Sequence, residues 1–256
     1  MTERVAALAE LLLAARRSGR PIDDLPAALV PATADEAYAV QDQVTSALGA
    51  IGGWKVGAPG PSATPNCAPL LADLIAPSPA LWPAERFCLR GVEAELAFRF
   101  GIALPPRAAP YSEDDVWAAV ESMHPAIEIV EPRYARDPRT DPLALLADHQ
   151  GNGALCYGAA AEDWRQVDFL SQPARLLIDG KEVASARGGN AAGHPRRLLA
   201  WLANHRAREG RGIAAGDIVT TGSHTGLIFA APGATVTVEF RGIGSAALSF
   251  ATSTRS

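Results

Sequence analysis

Lysine is almost missing from this chain. Of its 23 basic residues only Lys55 and Lys181 are lysine, and the rest are arginine. Chemistry that needs a titratable amine therefore has two side chains to choose from, because guanidinium does not deprotonate at working pH. Cysteine is scarce too: Cys67, Cys88 and Cys156 are odd in number and far apart, which excludes a disulfide framework and any metal or redox spacing. No apolar run approaches the ~20 residues that cross a bilayer. The opening Met1-Thr2-Glu3-Arg4 has an acid where a signal peptide is basic. A basic excess is also absent: the net charge of −5 argues against nucleic acid, whose phosphates need a basic face. There is no internal repeat, low-complexity tract or glycine-rich phosphate loop. What is present, 256 residues with 48% apolar and 20% charged, suits a soluble cytoplasmic protein with a sizeable core and no membrane partner.

The first 50 residues read as a helical segment packed on a core that occupies 51–256. Val5, Leu8, Leu11, Leu12 and Ala15 recur at helical spacing after Thr2, a candidate N-cap. Three prolines and a glycine between Ser18 and Pro31 break that helix. Thr33-Ala34-Asp35-Glu36 then has the capping-box arrangement for a second helix through Tyr38, Val40 and Val44. From Trp54 the texture changes to short strands between Gly and Pro turns. Val92 to Phe100 alternates, with Glu93, Glu95, Ala97 and Arg99 on one face. Ser112-Glu113-Asp114-Asp115 caps a helix expected to run through Val116, Val120 and Met123 to His124-Pro125, with a strand over 126–130. Asp179-Gly180 marks a hairpin, Arg196 to Arg208 reads as a helix entered through His194, and the tail reads as antiparallel strands. Helices first and strands later predict an α+β fold.

Two features carry chemistry. Glu93 and Glu95 leave one strand face with Cα atoms about 6.6 Å apart, and such neighbours repel unless a cation lies between them or water surrounds them. Glu128 sits in the apolar run Pro125-Ala126-Ile127-Glu128-Ile129-Val130, where an unpaired carboxylate is costly to bury. Three carboxylates brought together in an apolar fold make a hard-cation site suited to Mg²⁺ or Mn²⁺. Lys55, at a strand end between Trp54 and Val56, is the second feature. Burial and a nearby cation are expected to lower its pKa toward the range useful for proton transfer.

These residues also carry a resemblance. Gly53-Trp54-Lys55-Val56-Gly57, Val92-Glu93-Ala94-Glu95-Leu96-Ala97 and Pro125 to Val130 are followed in order by four further segments: Ser185-Ala186-Arg187-Gly188-Gly189, Gly193-His194-Pro195, Gly216 to Gly222, and Arg241-Gly242-Ile243-Gly244-Ser245. Over nearly the whole chain this order resembles the fumarylacetoacetate hydrolase superfamily, in particular its 2-keto-4-pentenoate hydratase and oxalocrotonate decarboxylase branch. The resemblance implies a mixed β-roll with N-terminal helices, a homo-oligomer, and a metal-dependent hydratase that adds water to a small 2-hydroxydienoic or 2-oxo acid. Decarboxylation, C–C hydrolysis or mere binding of a 2-oxo acid are the alternatives on the same scaffold. It further implies Glu93, Glu95 and Glu128 as metal ligands, Lys55 as the active-site amine, and Thr221 and Gly222 as substrate contacts. By sequence alone Glu131 rivals Glu128, but it has the opposite strand parity. Two departures bear on the chemistry. Asn66 stands where the branch has an acidic residue, and Ala147-Asp148-His149-Gln150-Gly151 replaces its Ala-Asp-Asn-Ala-Ser segment. His149, or else His224, is thus a candidate for the missing acid–base group.

Overall fold

The structure, a computed structural model, describes residues 3–135 and 141–252; the proposed Thr2 cap lies outside them. Five α-helices are described: α1 (Glu3–Ser18), α2 (Ala34–Leu48), α3 (Glu113–Ala119), α4 (Pro142–Ala147) and α5 (Pro195–Arg208). The strands of the first half are β1 (Ile51–Gly57), β2 (Asn66–Leu71), β3 (Ile75–Pro77), β4 (Ala80–Pro83), β5 (Gly91–Phe100) and β6 (Val120–Val130). Those of the second half are β7 (Asn152–Tyr157), β8 (Pro173–Ile178), β9 (Lys181–Arg187), β10 (Ile218–Thr220), β11 (Ile228–Phe229), β12 (Thr235–Phe240) and β13 (Gly244–Ala251). None of the described helices is long and apolar enough to cross a membrane.

Two sheets form the core. One runs β2-β1-β10-β5-β6-β7-β3, with β11 added to β5, and the other runs β4-β13-β12-β8-β9. β2 and β3 lie at opposite edges of the first sheet, yet only Ala72–Leu74 separates them in the chain. The sheet must therefore curl on itself. Leu70, Ala97, Ala126, Leu155 and Ile218 pack together inside the curl, all buried. Its outer face, with Val92, Ala94, Leu96, Phe98 and Phe100, joins Leu176, Val236, Val238, Leu248 and Phe250 of the second sheet in the main core. Each large side chain buried this way contributes roughly 1.5–3 kcal/mol. The architecture is the α+β roll with N-terminal helices expected from the sequence.

Helices α1, α2 and α4 bury a separate cluster that includes Leu8, Leu12, Val40, Val44 and Leu146. Tyr38 and Leu48 touch both this cluster and the main core. The Thr33 cap on Glu36 forms as read, but the Glu36 carboxylate reaches back to the amide of Ala32 instead of the cap residue itself.

Two expectations need correction. Helix α3 stops at Ala119, and Val120 to His124 belong to β6. Ten-residue β5 pairs with β6 along its whole length, from Gly91↔Val130 to Phe100↔Val120, and that ladder outweighs the local helical spacing of Val116, Val120 and Met123. Pro125 is tolerated in β6 because its carbonyl, and with it the donor-less nitrogen, faces the side where β7 has ended; that carbonyl accepts from Gly158. The tail is not wholly antiparallel, since β10 inserts into the first sheet parallel to β1. His194 does cap α5, accepting from the Arg196 amide.

Candidate active site

The alternation of β5 sends Glu93 and Glu95 to one face, and the register places Glu128 of β6 directly opposite Glu93. One oxygen from each of the three lies within 4.8 Å of the others. β10 bridges β1 to β5, with Lys55 beside Thr220 and Thr220 beside Ala97, so Lys55 enters from the same face. Its Nζ donates to Glu128 Oε1 at 2.5 Å and to the Gln150 carbonyl at 3.2 Å. Asn152 Nδ2 donates to the same Glu128 oxygen at 2.8 Å, and the Gly222 amide donates to Glu95 Oε2 at 3.1 Å. Glu128 Oε2 is buried with no hydrogen-bond partner among the described residues.

The electrostatics are those of a site short of positive charge. Burial, reinforced by Glu128, pushes the Glu93 carboxyl up to about 7, although Lys55 and the Ser223 hydroxyl oppose the shift. Burial likewise pushes Glu95 well above the carboxylate range, with Glu128 and Glu93 adding to it. Without a metal, the lowering expected of Lys55 beside a cation does not appear. Burial alone would lower it, but the charges of Glu128, Glu95 and Glu93 outweigh burial and hold the amine above its usual value. A divalent cation would cancel both strains, since it is often the largest local charge in such a site. An orphaned buried oxygen and an all-carboxylate donor set fit a hard cation.

The group opens on a cavity of about 440 Å³. Val56, Ala58, Pro59 and Pro142 give it apolar walls, and Asn66, Thr220 and Ser223 are polar points on its lining. Asn66 and Gly222 line the cavity. Thr221 does not: its hydroxyl turns to the Leu96 carbonyl at 3.4 Å, and by strand parity its neighbour Thr220 presents the hydroxyl to the cavity side. The buried Thr220 hydroxyl has no partner among the described residues.

Neither histidine reaches the cavity. The His149 ring points into the helical layer, with Nε2 3.2 Å from Thr45 Oγ1 and 3.4 Å from the Gln41 carbonyl. Burial, with Arg16 and Arg133 nearby, pushes its pKa well below the usual histidine range, and the ring is not on the cavity lining. His224 lies edge-on against Phe240, its amide tied to Ala94, and burial pushes it down to about 4. Glu131 also faces elsewhere; its carboxylate accepts from three successive amides, Cys88, Leu89 and Arg90. Asn152 was missed by sequence reasoning, although a lone amide opening the run Asn152-Gly153-Ala154-Leu155-Cys156 is a usable signal. Gln150 left none, because it acts through its backbone carbonyl.

Comparison with known proteins identifies the family and the fold. The model of the fumarylacetoacetate hydrolase C-terminal family matches residues 74–250. The chain is 32% identical to 2-keto-4-pentenoate hydratase 2 of Dechloromonas aromatica (strain RCB), over 96% of this chain and 97% of that protein. It is 30% identical to 4-oxalocrotonate decarboxylase of Pseudomonas putida, over 62% of this chain and 59% of that one. Among solved structures, 4-oxalocrotonate decarboxylase from Pseudomonas putida G7, complexed with magnesium and adipate, superposes with a TM-score of 0.84. That match has 26% identity and covers 98% of each chain.

Proposed function

The chain belongs to the fumarylacetoacetate hydrolase family, and from that premise we propose that it is a divalent-metal-dependent hydratase of small 2-hydroxy-2,4-dienoic or 2-oxo-4-enoic acids. The observation that carries the proposal is the triad Glu93, Glu95 and Glu128, closed to within 4.8 Å beside Lys55 on the cavity lining. These three carboxylates would hold the metal, Mg²⁺ or Mn²⁺. When bound, the cation supplies Lewis-acid polarisation of the substrate's carboxylate and 2-oxygen.

The protein's own groups do the rest. Lys55 carries the proton of the dienol–ketone interconversion: the 2-hydroxyl proton leaves and C5 of the acid gains one. Glu128 and the Gln150 carbonyl hold Nζ in place for that transfer. Water then adds, oxygen to C4 and proton to C3, giving a 4-hydroxy-2-oxo acid. Asn66 on the cavity lining holds that water or the substrate by hydrogen bonds, because an amide cannot exchange a proton as a carboxylate does. Gly222 orients Glu95 through its amide, and the apolar walls exclude bulk water from the reacting carbons. On this reading the enzyme works in the cytoplasm, as an assembly of identical copies.

Decarboxylation is the second reading, favoured by the near-complete superposition on the oxalocrotonate decarboxylase. One experiment separates the two. Purified protein with Mg²⁺ is offered 2-hydroxypenta-2,4-dienoate and 4-oxalocrotonate in parallel. Hydration of the first and no CO₂ from the second is expected; the reverse overturns the hydratase assignment. No turnover of either, with Mg²⁺ still bound, would leave a binding protein.

A further inference from the structure

The turn between α4 and β7 is strained and well tethered. His149, Gln150 and Gly151 have φ of 51°, 54° and 68°, three successive left-handed residues of which two carry a Cβ. That conformation is unfavourable for such residues and persists only where the surroundings over-determine it. Two tethers do so. Asp148, fully buried, accepts the Arg133 amide at 2.7 Å and Arg16 Nη2 of α1 at 3.1 Å. The His149 ring docks on α2 through Gln41 and Thr45. Gln41 in turn donates its amide to the carbonyls of Leu146 at 2.5 Å and Cys67 at 3.2 Å, tying α2 to both α4 and β2.

The payoff of the strain lies on the other side of the turn. With His149 turned into the helices, the Gln150 carbonyl is left facing Lys55 Nζ, and Asn152 reaches the Glu128 oxygen that Nζ also uses. We propose that His149 is a positioning residue: it locks the left-handed turn so that the Gln150 carbonyl and Glu128 fix Lys55 Nζ in one place. The inference rests on Lys55 as the proton carrier. Nε2 faces both the Thr45 hydroxyl and the Gln41 carbonyl, so this one nitrogen makes the ring's polar contacts with α2. Burial beside Arg16 and Arg133 opposes protonation of the ring.

The scarcity of lysine makes a direct test possible. Protein labelled only in lysine side chains gives two NMR signals, from Lys55 and Lys181, assigned with Lys181→Arg. In folded His149→Ala the Lys55 signal is expected to shift or split while that of Lys181 stays put. With substrate, kcat should fall about tenfold at nearly unchanged KM and Mg²⁺ affinity, as for a misplaced reacting group. His149→Gln, whose side-chain N–H extends about as far as Nε2, should recover most of the rate and the native signal. In a Lys55→Ala background His149→Ala should cost nothing more, because both act through one group. An unmoved Lys55 signal, or an equal loss in the Lys55→Ala background, overturns the proposal. Full turnover by Lys55→Ala, with its signal in the parent protein still following His149, would instead sink the function assigned to Lys55 and leave the positioning intact. Should His149→Ala not fold, His149→Asn serves in the same comparisons.

Discussion

Stripping the metal should leave a carboxylate site whose contribution to stability falls as pH rises, the reverse of the usual carboxylate behaviour. The Glu93 carboxyl is raised from 4.5 to about 7. The folded chain then binds a proton that the unfolded chain has released throughout that window. Stability contributed by the protonated carboxyl is complete below about pH 4.5 and is lost as pH climbs through about 7. At 1.36 kcal/mol per pH unit the loss is on the order of 3 kcal/mol from Glu93 alone. Glu95, raised further still, extends the loss to higher pH. Mg²⁺ must displace those protons, so its Kd should tighten about tenfold between pH 6 and 8 on account of Glu93, and more with Glu95. The assay is thermal unfolding in EDTA and in excess Mg²⁺ across pH 5–8, with calorimetry in buffers of differing ionisation enthalpy to count protons released. A flat Kd with no proton release, or a stability gap between Mg²⁺-loaded and EDTA-treated protein that does not widen from pH 5 to 8, would refute the electrostatic account of the site.

Three further outcomes are expected. Lys55→Ala should lower kcat by about 10²–10⁴, the usual worth of a positioned acid–base group, and Lys55→Arg should not restore it; an active arginine variant would reduce the residue to a mere charge. Asn66→Asp should raise the hydratase rate, since neither histidine lines the cavity to replace the missing acid; a brisk wild type indifferent to this change would leave Lys55 with water as sufficient. Glu131→Gln should lower the unfolding temperature, because three amides share its carboxylate, yet leave Mg²⁺ affinity unchanged in calorimetry. Loss of Mg²⁺ binding there would return Glu131 to the ligand set.

What the sequence made legible follows from strand periodicity. The two-residue repeat puts Glu93 and Glu95 together whatever the partner strand is; parity puts Glu128 and Glu131 on opposite faces and leaves the family resemblance to choose between them. Register is another matter. Choosing Thr220 over Thr221 requires knowing that β10 lies parallel to β1 with Lys55 opposite Thr220, and nothing local encodes that pairing. The end of α3 was hidden for the same reason: the ladder to β5 is non-local, whereas the helical spacing that argued against it is local. His149 was singled out correctly as unusual, but its direction is set by a run of left-handed residues that only Gly151 hints at. The charge of three carboxylates around Lys55, which raises its pKa in the metal-free site, was not legible either, because it depends on the pairing of β5 with β6.

The place of β10 in the first sheet governs when the protein can become itself. β1 and β5 do not pair with each other; each is bonded to β10, parallel on one side and antiparallel on the other. A chain emerging from the ribosome thus holds Lys55 and Glu95 long before it has the strand that aligns them. Until Ile218–Thr220 arrives, the sheet has a gap at its middle, with two unsatisfied strand edges facing each other across it. Closure depends on contacts more than 100 residues apart in sequence, a slow step during which those edges are open to other chains. Three residues synthesised late therefore act as the keystone of a curled sheet whose other strands, all but the short β11, were laid down first.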